Sequence, residues 1–377
     1  METTDTSKSG REIKAAVVRE KGGPFQLETL TLGKPRADEV LVKIVATGMC
    51  HTDMVARDKV YDVPHPIILG HEGAGIVESV GEDVQEVVPG DPVVLSYLPC
   101  GKCSPCLLGQ PFHCVNTYPL CFGGARLDGT TATTDADGNP VHDHFFAQSS
   151  FGTFALANEG NVVKVPKDAP LELLGPLGCG IQTGAGAVMN SLRVGAGKSL
   201  VVFGAGAVGL SAVMAARVVG ATTIIAADVV PSRLGLAKEL GATHVINSKE
   251  EDPVEAVKKI TDGGADYSLE ATGIPAVLRQ AIEAIDVLGI CGIVGAAPLG
   301  ADGSFDINDV MIPGKTIRGI LQGASIPKIF IPRLVELHTQ GRFPFDKLVK
   351  FYDFDQINQA AEDSENGTTI KPIIRIG

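Results

Sequence analysis

The feature that most constrains the fold is an alternation of strand and helix patterns over residues 199–294. Short β-branched runs at 200–203 and 223–227 alternate with helical patterns at 208–219 and 232–240. Further strands are predicted over 244–246, 267–270 and 290–294, and further helices over 254–261 and 275–285. This βαβ rhythm predicts a parallel sheet with helices on both faces.

The first turn of this region carries the pattern Gly204-x-Gly206-x-x-Gly209, between a predicted strand and a predicted helix. Gly204 is expected to make the tight turn, Gly206 to admit a pyrophosphate, and Gly209 to let helix and strand pack closely. Asp228 ends the next strand, 19 residues after Gly209, where a carboxylate binds the adenosine ribose and repels a 2′-phosphate. The pattern therefore predicts NAD rather than NADP. A glycine-rich turn without a ligand is the alternative.

Length and a change of pattern near residue 180 predict two domains, since 377 residues exceed what one hydrophobic core usually supports. Residues 1–180 carry short β patterns, and residues 323–377 are mixed, with a helix over 329–340 and a strand over 373–376. We expect these two parts to form one β-rich catalytic domain, with an NAD-binding Rossmann domain inserted at 181–322. Residues 128–144 are polar and predict an exposed loop, and residues 1–12 predict a frayed end.

Composition and charge exclude several classes of protein. A net charge of −12 argues against a nucleic-acid partner, because phosphate binding needs a basic surface. Apolar runs are broken by glycine and are too short to span a membrane. The N-terminus has no apolar segment of secretory type, so we expect a cytoplasmic protein.

Four cysteines, Cys100, Cys103, Cys106 and Cys114, lie within fifteen residues. Thiolates at this spacing suit a closed tetrahedral zinc shell, which leaves no position for substrate and predicts a structural metal. An iron–sulfur cluster also takes four cysteines and is one alternative, and a pair of disulfides is another. The remaining cysteines outside the motifs, Cys121 and Cys291, are expected to be buried thiols.

Three further segments carry metal-ligand residue types. They are Cys50-His51-Thr52-Asp53, Gly70-His71-Glu72 and Gly178-Cys179-Gly180-x-x-Thr183-Gly184. Each alone is more typical of packed residues than of ligands. Together with the four cysteines and the glycine pattern, and in this order along nearly the whole chain, they resemble the zinc-containing medium-chain alcohol dehydrogenases.

The resemblance implies a GroES-like catalytic domain beside the Rossmann domain. It implies a catalytic zinc on Cys50, His71 and Cys179, with Glu72 as a nearby carboxylate and Asp53 fixing the tautomer of His71. Three protein ligands leave one open position. Enzymes of this kind lower the pKa of an alcohol with zinc and pass its hydride to NAD.

The resemblance also assigns roles around the substrate and the cofactor. Thr52 is expected to take the alcohol proton. The resemblance implies that His51 contacts the pyrophosphate of NAD, and that Thr183 and Val208 pack on the two sides of the nicotinamide. Arg233 is implied to contact the adenosine ribose beside Asp228, and Lys371 to contact a phosphate. For Arg233 and Lys371, a solvated surface charge is the alternative.

One position departs from many animal members, where a histidine ends the proton relay and this chain has Val55. As a hypothesis, His51 or water completes the route. Val55 and Arg57 resemble the bacterial aryl alcohol dehydrogenases, so a primary aromatic alcohol such as benzyl alcohol is the predicted substrate. Its pocket is expected to draw on residues 96–98 and 320–321.

Alternative functions remain within and outside the family. A glutathione-dependent formaldehyde dehydrogenase and a general aliphatic alcohol dehydrogenase share the same motifs. A zinc-free quinone reductase would lack the metal ligands, and a zinc-ribbon nucleic-acid binder is opposed by the negative charge. Family members imply a homodimer or homotetramer, in which the strand at 290–294 would end the nucleotide sheet and extend across a dimer axis.

Overall fold

Three β-sheets carry the fold in the computed structural model, which describes residues 10–377. The predicted fraying therefore falls largely outside the described residues, and Arg11 and Glu12 already lie in the first strand. In chain order the strands are β1 (Arg11–Val18), β2 (Phe25–Leu32), β3 (Glu39–Gly48), β4 (Ile67–Ile68), β5 (Glu72–Val80), β6 (Pro92–Leu95), β7 (Thr133–Thr134), β8 (Pro140–Val141), β9 (Phe154–Asn158), β10 (Val162–Lys164), β11 (Ser199–Phe203), β12 (Thr223–Asp228), β13 (His244–Asn247), β14 (Ala265–Glu270), β15 (Ile285–Ile293), β16 (Thr316–Gly319), β17 (Val349–Asp353) and β18 (Lys371–Arg375).

The helices begin where the chain supplies caps or prolines. Asp252, for example, accepts hydrogen bonds from the backbone N–H groups of Val254 and Glu255 ahead of a proline at the first helical position. In chain order the helices are α1 (His51–Arg57), α2 (Ser104–Leu107), α3 (Thr117–Phe122), α4 (Leu171–Leu174), α5 (Gly180–Gly186), α6 (Ala207–Val218), α7 (Pro231–Leu240), α8 (Pro253–Thr261), α9 (Pro275–Glu283), α10 (Ile307–Met311), α11 (Pro327–Thr339) and α12 (Ile357–Glu365).

The first of two compact units holds two mainly antiparallel sheets. It comprises the described residues up to Cys179 together with Ile326–Val335 and Leu348–Gly377. One sheet has the order β4-β1-β2-β7-β8, and the other has the order β10-β6-β5-β3-β18-β17 with β9 on β3. One hydrophobic cluster draws on strands of both sheets, so the unit has its own core.

The second unit comprises Gly180–Ser325 and Glu336–Lys347. Its strands are parallel, in the order β13-β12-β11-β14-β15-β16. This is the strand order of a dinucleotide-binding Rossmann sheet, and it confirms the predicted α/β class. Residues 336–347, which the sequence places in the catalytic domain, make their contacts within this second unit.

Three predictions about local structure need correction. The helix predicted over 275–285 ends at Glu283, because Ile285 already pairs with Ala265 as the first residue of β15. The strand near 290–294 does not end the nucleotide sheet, since β16 pairs with it and forms the edge. Residues 128–144 are not simply an exposed loop: they contain β7 and β8, and they bury Asp143 and His144.

Among residues 10–377, no helix combines the length and the apolar character that crossing a bilayer requires. The cytoplasmic location stays a prediction.

Candidate metal centres and nucleotide site

Three segments that are distant in sequence converge in the first unit. Cys50 caps helix α1 just after β3, His71 and Glu72 lie where β5 begins, and Cys179 follows a short 3₁₀ turn at Gly175–Gly178. One ligand atom from each of Cys50, His71, Glu72 and Cys179 lies within 4.8 Å of every other. The resemblance predicts this group, and the structure brings its members together.

Two glycines allow this convergence. β3 pairs with β5 so that Gly48 lies opposite Glu72, and a Cβ at Gly48 would lie 2.1 Å from Glu72 Oε2. A Cβ at Gly175 would lie 2.2 Å from the carbonyl oxygen of Glu72. Any larger residue at either position would displace the carboxylate or the turn that leads to Cys179.

The imidazole of His71 has the orientation of a metal ligand. Its Nδ1 lies 2.9 Å from Asp53 Oδ1, and Asp53 also accepts hydrogen bonds from the N–H groups of Cys50 and Gly70. The other nitrogen, Nε2, is buried and has no hydrogen-bond partner among the described residues. Burial alone would lower the pKa of His71, but Asp53 and Cys50 raise it to about 10. A carboxylate on Nδ1 and a vacant Nε2 fit a metal on Nε2.

Electrostatics at the same centre favour a thiolate. A hydrogen bond from Cys179 lowers the pKa of Cys50 well below its usual value, against the effect of burial, and the positive charges of Lys371 and His71 lower it further. Thiolates and imidazole nitrogens are the donors that zinc prefers, and a bound cation would take the place of the proton on Nε2 of His71. The donor set therefore fits zinc.

Lys371 lies inside this centre, so the alternative of a solvated surface charge is wrong, whereas its contact with a phosphate stays a prediction. The side chain of Lys371 is 2% exposed. Its Nζ donates to both carboxylate oxygens of Glu72 at 3.0 Å and to the carbonyl oxygen of Met49 at 3.2 Å. These contacts use all three N–H groups, so in this arrangement the side chain offers none to a phosphate. Burial opposes the charged form, but Glu72 and the two thiols raise the pKa of Lys371 above its usual value.

Aromatic rings pack against His71. The ring of Phe146 stacks on it with centroids 4.5 Å apart, and that of Phe145 meets it edge-on at 5.6 Å. Phe122 contacts both phenylalanines and also Tyr61. Aromatic residues are only 5% of the sequence, and composition therefore does not predict this group.

The four clustered cysteines of the first unit form a second group of candidate ligands. Their sulfur atoms all lie within 4.8 Å of one another, and Cys103 Sγ is 3.4 Å from Cys106 Sγ and 3.9 Å from Cys114 Sγ. Four thiolates at about 2.3 Å around zinc would lie about 3.8 Å apart. All eight cysteines are free thiols, which contradicts the alternative of two disulfides.

The glycine pattern of the second unit has the predicted geometry. Gly204 has a φ of +94°, in the left-handed region that favours glycine. A Cβ at Gly209 would lie 1.8 Å from the carbonyl oxygen of Gly204, so close helix packing requires glycine there. A Cβ at Gly206 would meet no atom within 4 Å, which leaves open space in front of the N-terminus of α6. This space fits a pyrophosphate.

Asp228 closes the same loop from the end of β12. Its Oδ2 accepts a hydrogen bond from the N–H of Ala205 at 2.6 Å, and its Oδ1 accepts from Val229 and Val230. Three of roughly four acceptor positions on the carboxylate are therefore used. Arg233, on α7, is half-buried, and its Nε is buried without a hydrogen-bond partner in the described part of the chain.

The other predicted site residues have the following positions. Gly184, next to Thr183, packs on Val208, since a Cβ there would lie 1.9 Å from the carbonyl oxygen of Val208. His51 is exposed at the start of α1, and Thr52 Oγ1 lies 3.8 Å from Cys50 Sγ. The predicted contacts of these residues with NAD and substrate stay predictions.

The stretch predicted to line the substrate pocket is largely buried. Ser96 is 0% exposed and Tyr97 is 4% exposed. The Ser96 hydroxyl donates to the carbonyl oxygen of Gly178 at 2.7 Å, so it is committed to the backbone beside Cys179.

Comparisons with known proteins agree with this arrangement. Residues 36–167 match the alcohol dehydrogenase GroES-like domain, and residues 207–337 match the zinc-binding dehydrogenase domain. Geraniol dehydrogenase of Castellaniella defragrans is 49% identical over 96% of this chain and 97% of its own. The crystal structure of benzyl alcohol dehydrogenase from Acinetobacter calcoaceticus is 57% identical, covering 97% of this chain and 100% of its own with a TM-score of 0.95.

A crystal structure of an alcohol dehydrogenase zinc-binding domain protein from Burkholderia ambifaria is 61% identical, with 97% of this chain and 99% of that one covered and a TM-score of 0.96. The chain belongs to the zinc-dependent medium-chain alcohol dehydrogenase family, and it is an oxidoreductase that acts on alcohols.

Proposed function

We propose that this enzyme oxidises primary alcohols that carry an aromatic ring, with benzyl alcohol as the reference substrate, and that NAD accepts the hydride. The convergence of Cys50, His71 and Cys179 carries the proposal. Two cysteines and a histidine with one position left open form the catalytic ligand set of alcohol dehydrogenases. The four-cysteine group is proposed to hold a second, structural zinc.

Zinc on Cys50, His71 and Cys179 would supply a Lewis acid that lowers the pKa of the alcohol hydroxyl. Asp53 holds Nδ1 of His71, so that Nε2 faces the centre. Two thiolates and the buried carboxylates of Glu72 and Asp53 would contribute four negative charges, and zinc and Lys371 would contribute three positive ones. The metal and Lys371 would therefore offset most of the buried negative charge, which would be costly without them.

Proton transfer is proposed to begin at Thr52 and to end at His51. Thr52 lies beside Cys50 at the start of α1 and is half-buried, whereas His51 is exposed to solvent. A hydroxyl can accept one proton while donating another, which suits it to the middle of such a route. Val55, which replaces the usual relay histidine, cannot take part.

The aromatic group beside His71 supports an aromatic substrate. Phe146 stacks on His71 and is 5% exposed, whereas Phe145 is fully buried, so Phe146 is the ring proposed to pack on an aromatic substrate. One relative is a benzyl alcohol dehydrogenase, which favours an aromatic substrate, and another is a geraniol dehydrogenase. The second name favours an allylic terpene alcohol as the other candidate substrate.

The carboxylate of Asp228 supports NAD as the cofactor. It lies against the glycine-rich loop at the N–H of Ala205, where it would repel a 2′-phosphate. The open space at Gly206 would take the pyrophosphate, and the half-buried Arg233 would lie beside the adenosine ribose.

A substrate panel tests this proposal. We expect kcat/KM for benzyl alcohol and geraniol to exceed that for ethanol by at least about tenfold, the scale of a well-filled apolar pocket. NAD should be preferred to NADP. Equal kcat/KM for ethanol and benzyl alcohol would refute the aromatic assignment, and a higher value for S-hydroxymethylglutathione would favour the formaldehyde dehydrogenase alternative. In Phe146→Leu, benzyl alcohol should lose more kcat/KM than hexanol.

A further inference from the structure

Beside the metal centre, the buried side-chain amide of Gln148 makes hydrogen bonds to backbone groups where the pairing of two strands ends. Strands β5 and β6 stop pairing at Ala74 and Val94. Just beyond this point, Gln148 Nε2 donates to the carbonyl oxygen of His71 at 3.0 Å and to that of Ser96 at 3.1 Å. Gln148 Oε1 accepts from the N–H of Gly73 at 3.1 Å. The side chain is 1% exposed, so these groups have no access to water instead.

A second link leads from Ser96 to the third candidate ligand. The hydroxyl of Ser96, which is 0% exposed, donates to the carbonyl oxygen of Gly178 at 2.7 Å. A Cβ at Gly178 would lie 2.1 Å from the carbonyl oxygen of Leu95, so the two segments are in direct contact. Hydrogen bonds therefore connect the backbone of His71, through Gln148 and Ser96, to the residue before Cys179.

The segment that delivers Gln148 is held in an unfavourable backbone conformation. His144, Phe146, Ala147 and Ser149 have φ values of 63°, 52°, 54° and 49°. Such a conformation is unfavourable for a residue other than glycine, and it persists where surrounding contacts compel it. The hydroxyl of Ser149 donates to the carbonyl oxygen of Ile68 at 2.6 Å and accepts from the N–H of Phe145.

We infer that Gln148 and Ser96 are positioning residues that fix the separation of His71 and Cys179, and that they set how tightly the chain holds its catalytic metal. Metal-ligand distances tolerate only about ±0.2 Å, so a small drift of either backbone weakens the site. Removal of the amide would leave the carbonyl of His71 and the N–H of Gly73 buried without partners, which favours such drift. The inference rests on the proposed zinc at Cys50, His71 and Cys179.

The test uses Ser96→Ala and Gln148→Met, with Ser268→Ala as the matched control. Ser268 is also 0% exposed and also donates to a backbone carbonyl at 2.7 Å, that of Ala281 in the second unit. Zinc release to a chelator is followed over time. The four-cysteine zinc serves as an internal reference.

We expect both site variants to release one zinc at least about tenfold faster than the unaltered chain, the scale seen when groups behind metal ligands are removed. The second zinc and the control variant should be unaffected. Ser96→Thr, which keeps the hydroxyl, should restore slow release. Unchanged release in both site variants, or equal acceleration of both zincs, would overturn the inference alone. If the unaltered chain holds only the zinc of the four-cysteine group, the proposed catalytic centre is wrong as well as the inference.

Discussion

At the scale of single residues, the route of the proton depends on what stands at the start of α1. His51 is exposed there, so its imidazole can exchange a proton with solvent. We predict that His51→Gln slows hydride transfer and flattens its pH dependence, because a general base of this kind contributes at least about a hundredfold. Single-turnover reduction of NAD measures this step.

The matched control for His51 is His113→Gln, which removes another exposed histidine from the same unit. It should leave the pH dependence unchanged. If His51→Gln keeps the full pH–rate profile of the unaltered enzyme, His51 is not the base and water completes the route.

A buried histidine away from the metal predicts a loss of stability at alkaline pH. His144 contacts Asp143 and Glu39, and Glu39 also binds Arg126 at 2.6 Å. Burial alone would lower the pKa of His144, but Asp143 and Glu39 raise it from 6.5 to about 9. A raised pKa stabilises the fold fully below pH 6.5, and this contribution is lost as pH rises to 9. It amounts to at most about 3 kcal/mol.

We therefore expect Tm to fall between pH 6.5 and pH 9, and to fall less in His144→Asn. Asparagine tolerates the positive φ of this position and carries no titrating charge. Thermal unfolding of both proteins at the two pH values makes the comparison. Parallel Tm curves for the two proteins would show that His144 does not contribute.

Residue roles were predictable only where a motif marks them. Cys50, His71 and Cys179 belong to short patterns whose order suggests one centre. The engagement of Lys371 with Glu72 depends on β18 lying beside β3, which no local pattern reveals. Gln148 belongs to no such pattern, because an amide that binds backbone groups leaves no spacing signal in a sequence.

At the scale of elements, the four-cysteine loop has little besides metal to hold it. It contains α2, which has four residues, and a 3₁₀ turn at Pro111–His113, and none of the residues of either is buried. Leu107 and Leu108 are 74% and 73% exposed, and Phe112 is the residue of this loop that packs against the hydrophobic core. Loops of this kind derive their folding energy from the bound ion.

We predict that Cys106→Ser lowers the zinc content from about two to about one per chain and exposes the loop to protease. Metal analysis and limited proteolysis measure the two effects. Cys121→Ala is the control, because Cys121 is buried in the same unit and lies outside the cluster. A Cys106→Ser variant that keeps about two zinc per chain would refute the structural site.

Helices and strands were predictable where a single period of apolar residues runs through the whole segment. The strands and helices of residues 199–294 follow their apolar patterns, because each strand is covered on both faces and each helix on one. Residues 128–144 were misassigned, since β7 and β8 have two residues each and leave no period to recognise. They bury Val141 in the hydrophobic core, and they also bury Asp143 and His144, which pair with each other.

At the scale of the whole molecule, the edge of the Rossmann sheet predicts a homodimer. The edge strand β16 follows β15 in the sheet, and several apolar residues around these strands are exposed. Leu288, Ile307 and Ile312 are 75%, 73% and 77% exposed. An unpaired edge with apolar surface is a natural site for a second copy of the chain.

We expect light scattering to give at least twice the chain mass of 39.3 kDa. The double variant Leu288→Glu, Ile312→Glu should shift the protein towards smaller species, because it places charge on the apolar edge. Leu107→Glu, which adds a charge on the exposed four-cysteine loop, is the control and should leave the oligomeric state unchanged. A monomeric unaltered chain would contradict this prediction.

The division into a β-rich part and a nucleotide-binding part was predictable from the change of pattern near residue 180. The assignment of residues 336–347 to the second unit was not, because helix α11 spans the boundary without a break in its pattern. Distant pairing such as that of β3 with β18 decides where the ends of the chain meet, and it depends on the complete fold.

Zinc content together with benzyl alcohol oxidation in Cys179→Ala tests the central claim most directly. Cys179 is the ligand that is most distant in sequence from the other two, so it belongs to the centre only if the three segments converge. The unaltered enzyme should hold about two zinc per chain, and the variant should hold about one and lose NAD reduction with benzyl alcohol. A variant that keeps both zincs, or that keeps its activity with one, would contradict the account.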